Sequence, residues 1–233
     1  MAFRSAVQTT GTAGPINLPA GYQLDDILVA VWSSDFGGIS MANTNWVQID
    51  STRSLTTDGH TISVWYRVVD GTETGKLTWT IGGGSDLSCD CMAFSGRSTS
   101  APITAFLYTA ESSGSSPITI TLNAITAAAG DDVLALFMLD TTDGGGTWSG
   151  GSYTSGYAEA FDISNAWSSL FGAYRENVSG GTTGNVQGVA TSSGGSAGYA
   201  GWLIALASSG GGPPATPDTP VDPGNTMFFA GSF

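Results

Sequence analysis

The chain is 233 residues long and strongly acidic, with a formal net charge of −13 from 19 acids against six bases. Those bases, Arg4, Arg53, Arg67, Lys76, Arg97 and Arg175, stand singly, so no basic cluster is offered to a phosphate backbone or an anionic membrane. Charged residues make up only 11% and hydrophobic ones 41%, so Ser, Thr, Gly and Asn must cover the core, and no run of about 18 apolar residues exists to span a bilayer.

The start, "MAFRSAVQTTGTAGP", has one Arg and no apolar stretch, so no secretory signal is expected. An extracellular style of composition without an export signal suits a virion component, made in the host cytoplasm and released by lysis; a cytoplasmic protein of unusual composition is the alternative. Next comes "DDILVAVW", apolar at consecutive positions, which predicts a central strand covered on both faces. "TISVWYRVV" alternates, with Ile62, Val64, Tyr66 and Val68 on one face, and "KLTWTI" does the same with Leu77, Trp79 and Ile81. In "LSCDCMAF", Cys89 and Cys91 stand two apart and share a face; they read as small strand residues, because one His leaves too few soft ligands for a metal. "ITITL" alternates again, and "DDVLALFML" is the second run apolar on both faces. Asp-Gly turns at Thr57–Gly59 and Thr142–Gly144 and longer Gly/Ser loops separate the runs. No 3.6-residue period is sustained, so helix should be minor.

The chain also echoes itself. "LPAGYQLDDILVAVW" is matched by "ITAAAGDDVLALFML", "SVWYRVVDGTETGKLTWTI" by "LFGAYRENVSGGTTGNVQGVA", and "SCDCMAFSG" by "AGWLIALAS". Aligning Asp26 with Asp132, Tyr66 with Tyr174 and Trp46 with Trp148 gives two similar halves, about 15–97 and 120–207. One sheet alone leaves an apolar face bare, so the halves should pack together or exchange strands. The expectation is an all-β protein: a jelly-roll-like sandwich over 1–208 built from two similar halves, followed by an extended C-terminal arm. Two small tandem sandwiches are the alternative.

The order "LPAGYQLDDILVAVW", "TNWVQIDS", "SVWYRVVDGTETGKLTWTI" and "MAFSGRSTSAPI" resembles a domain widespread in phage structural proteins and bacterial surface proteins. That family runs through a Gly-Asp strand, a Gly-Trp strand, a "YR" strand, a Thr-rich strand and a closing "YRG" strand, often duplicated. Here "MAFSG" replaces the aromatic-Arg-Gly ending, and Tyr22 stands near the expected Gly-Asp. The resemblance implies a β-sandwich virion component and carries no catalytic residue across.

Few residues suggest chemistry. The only imidazole, His60, follows a turn and is expected to be exposed; no nucleophile elbow accompanies it. Glu159 and Asp162 lie three apart, on opposite faces of a regular strand, which does not suit a glycosidase pair. No catalytic residue and no cofactor are therefore expected. Asp140 and Asp143 in "LDTTDGGG" are weak calcium candidates, as are Asp86 and Asp90, although Asp-Gly is also what a tight turn needs. Among seven Trp, Trp46 and Trp148 lie nearest loops and are candidate glycan contacts, with core packing the competing role.

The chain ends in "GGGPPATPDTPVDPGNTMFFAGSF". Residues 209–226 form a Pro/Gly-rich tether, whose stretch from Gly210 to Gly224 favours polyproline II and reaches on the order of 45 Å. Its tip, 227–233, carries Met227, Phe228, Phe229 and Phe233, which suit a groove or sheet edge on another subunit. The expected function is a structural component of a phage particle (head decoration, fibre or tail accessory), homo-oligomeric or docked to other virion proteins. A host-surface glycan-binding module is the alternative, and a calcium-dependent hydrolase the third reading.

Overall fold

The computed structural model of the chain describes residues 3–11, 15–34, 39–54, 60–81, 87–141, 147–164, 168–192 and 195–210. These residues form strands and turns without a helix, so none is long and apolar enough to cross a membrane as a helix. The chain is all-β.

The two doubly apolar runs become β3 (Ile27–Ser34) and β14 (Asp132–Thr141), each in the middle of a sheet. The first main sheet has the order β1 (Phe3–Gly11), β10 (Leu87–Phe94), β3, β7 (Thr61–Val68) and β5 (Val47–Gln48), with β6 (Arg53–Ser54) also on β7. The second has the order β11 (Ile103–Ser115), β20 (Ser196–Leu206), β14, β17 (Ser168–Arg175) and β16 (Ala158–Ile163). In each half the first strand lies beside the last, which lies beside the central one. All these pairings are antiparallel. The echo in the sequence is therefore an echo in topology.

Small sheets cover the outer faces. Over the first half, β2 (Ile16–Asn17) pairs β8 (Lys76–Leu77), and β4 (Ile39–Met41) pairs β9 (Trp79–Ile81). Over the second half, β12 (Ile118–Leu122), β19 (Val186–Ser192) and β15 (Trp148–Tyr153) form a fuller sheet, and β13 (Thr126–Ala127) pairs β18 (Gly181–Thr182).

Side-chain alternation fills three cores. Ile27, Val29 and Val31 of β3 meet Leu134, Leu136 and Met138 of β14 in a central core shared by both halves. Leu28, Ala30 and Trp32 point the other way, under β2 and β8, while Val133, Ala135, Phe137 and Leu139 point under β12, β15 and β19. Each large side chain so buried contributes roughly 1.5–3 kcal/mol. The main sheets thus pack face to face, as the bare-face argument requires, but the stack has four layers rather than two.

The geometry corrects the alignment of the halves. Asp26 corresponds to Asp131, not Asp132. Asp26 Oδ2 accepts the Gln23 N–H at 2.8 Å, and Asp131 Oδ2 accepts the Ala128 N–H at 3.0 Å, each three residues back. Val69 and Val178 donate in the same way to the carbonyls of Asp26 and Asp131. The preceding residues, Asp25 (φ 68°) and Gly130 (φ 87°), are both left-handed, a conformation natural to Gly and tolerated by Asp. A one-residue slip exchanges the two faces of a strand. The Asp132 alignment would have matched Ile27 of the central core with Val133 of an outer core.

One backbone approach is close enough to test. Gly201 on β20 lies between Phe137 and Thr109, and a Cβ there would run into the Leu136 carbonyl and come within 2.8 Å of Leu122 Cδ2. Gly201→Ala is expected to lower unfolding stability by about 3 kcal/mol, as overpacking against a fixed backbone does. A denaturant midpoint unchanged from wild type would refute this.

Candidate functional site

One end of the central core is polar. Continuing the inward alternation of their strands, Ser33, Ser88, Asp90, Asp140 and Ser168 face between the main sheets, joined by His60 just before β7. Ser88 Oγ donates to the Ser168 carbonyl at 2.8 Å, and Ser168 Oγ lies 3.3 Å from Ser88 Oγ. His60 Nδ1 is 2.8 Å from Asp140 Oδ1, with 2% and 0% of the two side chains exposed.

His60 is thus no exposed turn residue. Two places before Ile62, it extends the inward face of β7 into the seam between the halves. Asp140 likewise ends a strand interior instead of lining a calcium loop. Asp143 and Asp86 lie outside the described residues. An imidazole held by a buried carboxylate is also the inner half of a Ser-His-Asp triad. Here both groups are sealed between two sheets and the Ser88 and Ser168 hydroxyls are committed across the seam. The arrangement can join the halves.

A second acidic arrangement was hidden by a bulge. In β16 the register passes from Glu159 opposite Ala173 to Phe161 opposite Gly172, leaving Ala160 as the extra residue. Asp162 then falls opposite Phe171, and Glu159 and Asp162 share the outer face that a regular strand would have denied them. Burial pushes the Asp162 carboxyl up, opposed by the Gly150 N–H that donates to Oδ2 at 3.1 Å and reinforced by Glu159. Tyr153 is pushed up by burial and by both carboxylates. Asp162 is held by the β15 backbone, so the group secures the bulge against the outer sheet.

The first half carries a small recess beside Trp46. Of about 50 Å³, it is walled by Trp46, Asn43, Arg67, Glu73 and Lys76 among others, and has room for only a few water molecules. A sugar ring would have to lie across its rim. The Arg67 guanidinium is spent on the Thr44 carbonyl, Asp70, Thr72 Oγ1 and Glu73, and Glu73 accepts the N–H groups of Asp70 and Gly71. Thr72, through its hydroxyl and N–H, holds Asp70 below the usual carboxylate range. This network locks the 70–73 turn against the Thr44 turn that leads into Trp46 and β5.

The two candidate glycan contacts separate here. Trp46 is half-buried at the edge of the first outer core. Trp148 is fully buried in the second outer core and can touch no glycan, which corrects that expectation. They are not counterparts either. Val47 pairs Tyr66 and Ala158 pairs Tyr174, so the residue matching Trp46 is Tyr157, whose hydroxyl burial pushes up to about 12 against the pull of Arg175.

At the opposite end from the polar seam, a groove of about 420 Å³ runs past Arg4, Leu24, Asp26, Arg97, Ser98 and Ser209. Its arginines are paired, Arg4 to Asp26 at 2.7 Å and Arg97 to Asp132 at 3.2 Å. The last described strand ends beside it, and its exit is clamped. Ala207 N–H donates to the Pro102 carbonyl, Ser98 N–H to Ala207, Ser209 N–H to Gly96, and Ser208 N–H to Asp131 Oδ1.

Met227, Phe228, Phe229 and Phe233 lie outside the described residues. Cys89 and Cys91 are free, buried and on one face, their thiols pushed up chiefly by burial. Among the described residues no group of three or more His, Cys, Asp or Glu is placed to hold a metal. No protein-family model, characterised protein or solved structure matches the chain.

Proposed function

We propose that the chain is a non-enzymatic structural component of a phage particle, a head decoration, fibre or tail-accessory protein, docked through its C-terminal arm to sister subunits or other virion proteins. The observation that carries this reading is the clamped root of the arm. Four hydrogen bonds from Ser98, Ala207, Ser208 and Ser209 tie the exit of the last strand to the linker between the halves and to Asp131. Tension on the arm would thus pass into both main sheets. The sequence beyond supports it, with five prolines from Pro213 to Pro223 and four large apolar side chains at 227–233. A net charge of −13 carried on few charged residues keeps many copies apart before assembly.

The test is a chain truncated after Ser209, compared with the full chain in particle assembly. The truncated protein is expected to unfold at the same midpoint and to be missing from particles. Incorporation at the full-length level would overturn the reading.

A second reading, a host-surface glycan-binding module, is favoured by the partly exposed Trp46 beside its polar recess. It requires that Trp46→Ala abolish binding to host-surface glycans while the fold persists.

A further inference from the structure

Inward positions along β10 are Ser88, Asp90, Met92 and Phe94, so Asp90 brings a second carboxyl, besides Asp140, into the seam between the halves. It is fully buried, and neither carboxyl oxygen has a hydrogen-bond partner. Its neighbours in the sheet are Gln8 on β1 and Val31 on β3. Across the seam, β17 presents Ser168 and Leu170, and β16 presents Phe161 and Ile163. Cys89 and Cys91 flank it but face the outer core. The His60–Asp140 pair lies at the seam's end, and Asp162 faces outward from β16. Among the described residues no Arg or Lys pairs with Asp90. In the second half the corresponding position, two places along the inward face from the Met92 and Ile204 pair, is Trp202.

A carboxylate ionised in that place would have no counter-charge among the described residues, and its oxygens accept no hydrogen bond. Burying one uncompensated is among the costliest arrangements a core can hold. We propose that Asp90 makes the seam between the two halves a pH-sensitive joint: the closed stack holds this carboxyl in its neutral form, and its ionisation parts the two main sheets. Burial raises the Asp90 pKa well above the ordinary carboxylate range. The closed state therefore binds one more proton than the open state between those two values. Stability from this group is full below the ordinary carboxylate pKa and is lost as pH rises. Within that window the opening constant grows up to about tenfold per pH unit.

Hydrogen exchange of the full-length protein tests this, read by mass spectrometry from about pH 5 to about pH 9 after correction for intrinsic rates. Peptides of β10 and β17 report the seam, and peptides of β12 and β19 report an outer layer. In wild type, opening at the seam is expected to rise with pH relative to Asp90→Asn, while the outer-layer ratio stays flat. Asp90→Val, which carries no titratable group, serves if the Asn variant does not fold. A seam ratio independent of pH overturns the proposal. So does an equal rise in every peptide, which would mean whole-molecule unfolding rather than a joint. Wild-type seam exchange without pH dependence overturns it whatever the variants do.

Discussion

Asp140→Ala is expected to destabilise the fold by about 3–5 kcal/mol, the usual cost of removing one partner of a buried pair. His60 would be left in the seam between two sheets, 1% exposed, having lost the oxygen now 2.8 Å from its Nδ1. The loss should be the same with calcium or with a chelator present if the carboxylate's partner is the imidazole that faces it. Chemical denaturation of the two proteins in both buffers measures it. A loss confined to the calcium-containing buffer would restore the calcium role for this residue. His60→Ala should cost a similar amount, and the double variant less than the sum, since the two changes remove one shared interaction.

Trp148→Ala is expected to cost about 3–5 kcal/mol through the cavity it leaves in the second outer core. Trp46→Ala should cost far less, about 1 kcal/mol, because that ring is only partly buried at a core edge. The contrast matters for function. A loss of glycan or cell binding in the Trp148 variant would report unfolding, whereas the same loss in the Trp46 variant would report a contact. Melting temperatures measured beside binding separate the two. Similar melting temperatures for both variants would contradict the burial of Trp148.

Strand identity was legible because alternation is a local property. Ile62, Val64 and Tyr66 share a face wherever β7 is placed, and the uninterrupted runs from Ile27 and from Val133 could only be central strands. Duplication was legible for the same reason, since similar runs recur in the same order. Site assignments failed where a side chain's fate depended on its partners. His60 follows a turn in the chain, yet the opposing sheet makes that turn's end an interior. Glu159 and Asp162 share a face only because Ala160 bulges out of register, and sequence carries no clear mark of a bulge. Asp90 reads as a calcium candidate beside Asp86, although its place between Cys89 and Cys91, in step with Met92 and Phe94, already marks it as a strand residue on an apolar face.

By itself the sequence determined the all-β class, the two halves, the central strands and the acidic, hydroxyl-rich composition, because each follows from period, residue content and turn chemistry along the chain. Only the tertiary structure decided the four layers, the one-residue shift that matches Asp26 to Asp131, the burial of Trp148 and the polar seam. Those depend on which face meets which. A face is a relation between strands far apart in sequence, and alternation within one strand cannot say what lies opposite.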